Sequence, residues 1–381
     1  GQDLTDYQIK LVIHYGSGTD SGSDIYLNEK CKSDFGDIRF TDANGNLLSY
    51  WMEEKVDSDY AVFWVKVPSI PASSTTDIYI YYGNPDAVYD GDPEQVFDFY
   101  DDFEGTELDT SKWNVITNEG TIEVTNGYLR LYRPAGGKAI RIESVGSFTG
   151  HFAIHFRKKL LQSNYYFSSI YYGESPNVSS IGYSLYSGYE SALYTGDQYY
   201  PPRCSAGAST DGDVITDPPT NTWSKEVFIV PSGYLKRILN ETTEETASRY
   251  TGVSSGKLGI YAYSAGSYGM ECHIDYIFMR KYVDPEPSIS AVGGEEYYFQ
   301  EMTIIAGEVS AEFLNGDGES LGQVYDAYDT QFYMFRKWPQ GYGSFTYRNS
   351  GNWGSNGASV SDKRMGILHA YCLKLVPDTI G

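Results

Sequence analysis

Two groups of side chains in this chain are of types that could do chemistry. The first is acidic. Asp101, Asp102 and Glu104 fall within four positions, and a hard cation such as calcium takes several oxygen ligands of this kind. The second is aromatic: Tyr165, Tyr166, Tyr171, Tyr172, Tyr186, Tyr189, Tyr199 and Tyr200 crowd a stretch rich in Ser and Gly. Sugars stack their apolar C–H faces on such rings while polar neighbours meet their hydroxyls. Rings of the same kind also anchor protein interfaces, so the cluster predicts a ligand surface or a subunit surface. His151 and His155 share strand parity with Ala153 and Arg157, which reads as a polar strand face rather than a metal site. No P-loop, GxGxxG, Ser/His/Asp order or EF-hand loop is present in the sequence.

The totals narrow the partners. A chain of 381 residues is expected to hold two or three domains. Its net charge of −23 argues against nucleic acid as a partner, because phosphate neutralisation needs clustered Lys and Arg. No apolar run approaches the length that spans a bilayer, which predicts a soluble chain with no membrane span. Tyrosine is the outlier, with 37 Tyr beside 40 Gly. Its ring packs on a pleated surface while its hydroxyl stays wet, so the composition points to an all-β surface protein. Cys31, Cys204, Cys272 and Cys372 stand far apart without a CxxC or Cys/His cluster. Either Cys204 and Cys272 form a disulfide or the thiols are free and buried. Asn177-Val-Ser and Asn240-Glu-Thr are acceptor sequons of the kind found on exported proteins. No signal peptide is present in this stretch, and strand-like sequence soon after Gly1 fits a mature or trimmed N-terminus.

The elements that must position these groups are strands. Ile9, Leu11, Ile13 and Tyr15 alternate with Gln8, Lys10 and His14. Further short strands follow at 37–41, 48–55, 60–67 and 77–82, separated by Gly/Asn/Pro turns, as in a small antiparallel sandwich. A second series runs from Phe97 to about Glu295, through Tyr128-Leu-Arg-Leu-Tyr, Gly150 to Arg157, Glu226 to Val230 and His273 to Met279. Asp284-Pro-Glu-Pro reads as its exit. The remainder, about 296–381, reads as a third small β domain of unknown type.

The motifs Phe35-Gly-Asp-Ile-Arg-Phe-Thr, Tyr50-Trp-Met-Glu-Glu-Lys, Tyr60-Ala-Val-Phe-Trp-Val-Lys-Val-Pro and Ile78-Tyr-Ile-Tyr-Tyr-Gly-Asn-Pro resemble the domain of unknown function 2341. The resemblance covers roughly residues 1–95 and implies an exported surface protein of an archaeon or its virus, without an assigned reaction. It also implies an aromatic strand ahead of Tyr7 that is missing here. An edge lacking its strand leaves backbone unpaired, so that strand was cleaved, lies outside this stretch or comes from a neighbouring subunit. The stretch from Phe97 to Trp113, together with the strand at His273 to Met279, resembles the first and last strands of concanavalin A-like lectin and laminin-G-like domains. That resemblance implies a structural calcium clasp in which Asp275 joins Asp101, Asp102 and Glu104. Laminarinases share this sandwich and carry Glu-x-Asp-x-x-Glu on one strand. That motif is absent here, which argues against catalysis.

The expected architecture is all-β, as tandem antiparallel sandwiches: 1–95 small sandwich, 96–295 concanavalin A-like jelly roll, 296–381 small C-terminal domain. The expected function is non-catalytic adhesion or glycan recognition at a cell or virion surface, with glycans or other surface proteins as partners and self-association. A structural subunit of a filament, sheath or virion appendage is the main alternative, and a polysaccharide-active hydrolase the second. Structural calcium is the one cofactor expected.

Overall fold

The computed structural model describes residues 2–134, 138–161, 166–173, 188–195, 203–205, 221–230, 235–247, 255–264 and 269–293. Beyond these it describes the strand backbones of 296–297, 300–303, 311–314, 320–324, 331–334, 346–348 and 369–376. The protein is all-β, in antiparallel sheets with one parallel pair among the described residues. It divides into two compact units, Gly1–Val96 with Pro285–Gly381, and Phe97–Asp284.

In the first unit β1 (Leu4–His14), β2 (Asp24–Tyr26), β3 (Arg39–Asp42), β4 (Tyr50–Val56), β5 (Tyr60–Ile70) and β6 (Thr76–Tyr82) precede a single helical turn, α1 (Pro93–Val96). One sheet has the order β2-β1-β5-β4. The alternation in β1 does what its period predicts: Ile9, Leu11 and Ile13 are buried, with Lys10 and His14 half-buried. Gln8 is buried as well, because its side-chain amide Nε2 donates to the Val96 carbonyl at 2.8 Å. The Phe35–Thr41 motif proves structural. Asp37 is wholly buried, and its carboxylate accepts from the Lys32 and Gly83 backbone amides at 2.9 and 2.7 Å. Burial dominates and raises its pKa. Arg39 donates to the Gly36, Ile38 and Val88 carbonyls and pairs with Asp90 at 3.1 Å. Glu53 and Glu54, at the end of β4, accept from Trp64 Nε1 at 2.8 Å and Tyr60 OH at 3.3 Å. Cys31 is a free thiol, pushed up to about 12 by burial.

A second sheet of this unit joins strands from both ends of the chain, so part of the segment expected as a third domain pairs with the first. Its order is Ser288–Val292, His369–Val376, β6, β3, so the C-terminal strand lies inside the first unit's sheet. Leu375 pairs with Thr76 and His369 with Tyr82, while the other side of the strand pairs with Ser288–Val292. The backbone of β6 is thus paired on both sides within one chain. Pairing between positions so far apart in the sequence has no local signature.

The second unit is a sandwich of two sheets. Its strands are β7 (Phe99–Asp101), β8 (Trp113–Asn118), β9 (Thr121–Thr125), β10 (Tyr128–Arg133), β11 (Lys138–Ser144), β12 (Phe148–Thr149), β13 (Phe152–Leu160), β14 (Tyr166–Gly173), β15 (Gly188–Thr195) and β16 (Arg203–Ser205). They continue through β17 (Ser224–Val230), β18 (Leu235–Leu239), β19 (Thr243–Ala247), β20 (Ser255–Ser264) and β21 (Met270–Lys281). The front sheet runs β19-β18-β17-β13-β21-β10-β9 with β7 on β21, and the back sheet β16-β15-β14-β20-β11-β8 with β12 on β20. Between them lies a core that includes Trp113, Leu129, Leu131, Ile142, Phe156, Tyr172, Phe228, Ile260, Ile274 and Met279. The core also contains Cys272 as a free thiol, which corrects the candidate Cys204–Cys272 disulfide. Cys272 points between the sheets, whereas Cys204 sits on β16 at the far edge of the back sheet.

The expected pairing of the domain's two ends is present: Phe99, Tyr100 and Asp101 lie opposite Met279, Phe278 and Ile277.

Candidate functional site

The candidate site is the outer face of the front sheet, and strand register builds it. Lys159 on β13 pairs with His273 on β21, His273 with Arg130 on β10, and Arg130 with Glu123 on β9. Cross-strand neighbours point to the same side, so these four side chains form one row over four strands. Trp223, immediately before β17, extends the row: Lys159 Nζ lies 4.9 Å from its ring centroid and the Arg157 guanidinium 5.1 Å. Tyr128 stacks on the His273 ring at 4.2 Å and meets Trp223 edge-on at 6.1 Å.

The charges of this face are mostly paired in place. Arg130 Nε donates to Glu271 Oε1 at 2.7 Å and Nη1 to Glu123 Oε2 at 3.0 Å. Arg157 Nη1 donates to Asp275 Oδ2 at 2.7 Å. His273 Nε2 stands 2.9 Å from Glu271 Oε1. Hydrogen bonds from Arg130 hold the Glu271 carboxyl below its ordinary value. Burial under the stacked Tyr128 depresses His273, so its ring is neutral near pH 7 and Nε2–H is the donor to Glu271. Rings and polar groups therefore alternate across a half-exposed surface, with most rotamers fixed by partners.

A β-bulge decides the membership of this face. The register of β13 on β21 shifts between Arg157 and Lys158. Cys272 and Ile274 point into the core on one side of the shift, Ile277 and Met279 on the other. Asp275 and Tyr276 are both left facing outward, and neither belongs to the core.

This bulge also undoes the expected calcium clasp. Asp101 has the parity of Ile277 and points inward, where Oδ2 accepts from Trp113 Nε1 at 2.6 Å and Oδ1 from the Phe103 amide at 3.0 Å. Its burial raises its pKa. Asp275 points outward to Arg157. Asp102 accepts from Tyr100 OH at 3.2 Å and the Glu104 amide at 3.3 Å, and Glu104 is exposed. The four carboxylates thus do not converge. Among the described residues no group of three or more His, Cys, Asp or Glu is placed to hold a metal ion.

The expected aromatic cluster fares differently. Tyr171 and Tyr172 are buried, which corrects their reading as ligand or interface rings. Tyr172 packs in the core, and Tyr171 donates to Glu143 at 2.6 Å on the back sheet's outer face. Tyr166 and Tyr189 lie on β14 and β15 and share the register parity of Tyr172. Tyr165, Tyr186, Tyr199 and Tyr200 lie outside the described residues. The expectation that His155 and Arg157 share a polar face holds, with His155 Nε2 accepting from Arg280 Nε at 3.0 Å. Sequence reasoning missed Trp223, Tyr128, Arg130 and Lys159, because each is an isolated residue whose neighbours come from remote strands.

Residues 34–116 match the family described as Domain of unknown function (DUF2341). The match begins at the first of the quoted motifs, later than the expected extent of 1–95, and continues past α1 into β8. No curated protein matches the sequence. Similar solved structures include the Emp47p carbohydrate recognition domain, at 12% identity and a TM-score of 0.38, over 48% of this chain and 94% of that one. A Bacillus licheniformis β-glucanase is similar at 14% identity and 0.38, over 49% and 98%. Peanut lectin with a nine-residue peptide is similar at 12% and 0.37, over 49% and 97%.

Proposed function

We propose that this chain is a non-catalytic extracellular surface protein that recognises glycans, and that the outer face of the front sheet holds them. The observation that supports this is the row Trp223, Lys159, His273, Arg130, Glu123 with Tyr128 stacked upon it. Half-exposed rings offer stacking platforms, and paired charges beside them offer hydrogen bonds whose geometry is already set. Such a surface suits a sugar chain better than a flat apolar partner. The acids of the face support binding rather than hydrolysis. A glycosidase's general acid needs a raised pKa, whereas Glu271 is held low and Asp275 is paired with Arg157.

Glycan-array binding tests the reading. Wild-type protein is expected to bind a restricted set of glycans, and Trp223→Ala to lose them while melting at an unchanged temperature. Binding to no glycan, or full binding by Trp223→Ala, sinks the proposal. Release of reducing sugar during incubation would replace recognition by catalysis.

A further inference from the structure

Resting on the glycan reading above, we infer that the sugar held on this face carries a carboxylate, and that Lys159 selects it. The other cations of the row have partners: Arg130 has Glu271 and Glu123, and Arg157 has Asp275. Lys159 has only the indole of Trp223 and forms no ion pair among the described residues. Its ammonium stands over the Trp223 ring, 4.9 Å from the centroid. A hexuronate set against the edge of that ring brings its carboxylate within reach of the ammonium above it, which can meet it with a charge-assisted hydrogen bond. A neutral hexose has a hydroxymethyl group at that position, which brings no charge to pair with Lys159.

The long-range field opposes an anion, since the chain's net charge is −23. At physiological ionic strength, charges beyond about 8 Å are largely screened, so the local ammonium governs affinity and the distant acids mainly slow the approach. His273, the other titratable group touching the row, is held neutral and adds no competing charge. The acids of this face, Glu271, Glu123 and Asp275, are engaged by arginines.

Calorimetric titration of the intact protein tests this with three probes: an oligogalacturonate, a neutral galacto-oligosaccharide of equal length, and its sulfated form. The oligogalacturonate is expected to bind about tenfold more tightly than the neutral sugar, a difference of about 1.4 kcal/mol. Added salt narrows the gap. Lys159→Met keeps the stem and removes the charge, and it is expected to bring the uronate to the affinity of the neutral sugar. Equal binding of uronate and neutral sugar by the wild type overturns the inference and leaves the glycan reading intact. A preference that survives in Lys159→Met overturns the role of Lys159. Tighter binding of the sulfated sugar overturns the carboxylate, and binding of none of the three overturns the glycan reading with it.

Discussion

The two outer faces of the second sandwich carry nearly the same chemistry in opposite surroundings. On the front face Arg130 meets Glu271 with side chains 27% and 19% exposed, beside Tyr128 and His273. On the back face Arg141 meets Glu143 with side chains 5% and 4% exposed, and the Tyr171 hydroxyl donates to the same carboxylate oxygen. Arg141 Nε and Nη2 reach that oxygen at 3.1 and 2.5 Å. Tyr171 spans β20 to get there, and it can because residue 259 is glycine: a Cβ at that position would lie 2.0 Å from the ring. Burial makes the back-face group a structural knot, in which each charge depends on its partner. Partial exposure leaves the front-face pair worth little in stability and open to a ligand.

Four measurements can break or sharpen that contrast. The largest effect is expected from Arg141→Met, which leaves Glu143 buried without its cation. It should cost about 3–5 kcal/mol, and each kcal/mol lowers the melting temperature of a domain this size by about 2–4 °C. A neutral result would mean that the back face is not the knot described. Gly259→Ala is expected to cost about 1–3 kcal/mol by driving the Tyr171 ring off Glu143, read in chemical denaturation. Arg130→Met on the front face is expected to cost less than about 1 kcal/mol of stability while weakening glycan binding about tenfold. Were stability to fall as far as in Arg141→Met, the two faces would not differ in kind.

The smallest effect concerns pH. Burial depresses His273 below its ordinary value of 6.5, so between the depressed value and 6.5 the unfolded chain binds more protons than the folded one. The stability His273 contributes is therefore complete above pH 6.5 and is lost as pH falls below it. Glu271, lowered by Arg130, adds a second loss as pH falls below its ordinary 4.5. Denaturation midpoints across this range should decline more gently in His273→Gln, and an unchanged slope would remove His273 from the account.

Much of the scaffold was legible before the structure. Ile9, Leu11 and Ile13 announced β1 by period alone, and the end strands Phe99–Asp101 and Met270–Lys281 do pair. The site was less so. Tyr171 and Tyr172 look alike in sequence, yet one reaches Glu143 and the other fills the core. Asp275 was expected beside Asp101, Asp102 and Glu104 in a calcium clasp, whereas its carboxylate accepts from Arg157.

By itself the sequence determined that this protein is built of half-buried strands and where they turn. Those features depend on local period and turn chemistry, which few neighbouring residues suffice to express. Only the tertiary structure decided that the strand His369–Val376 completes the first unit, that the bulge turns Asp275 outward, and that Trp223, Lys159, His273 and Arg130 stand side by side. Register between distant strands sets those outcomes, and a shift of one residue moves a side chain to the opposite face.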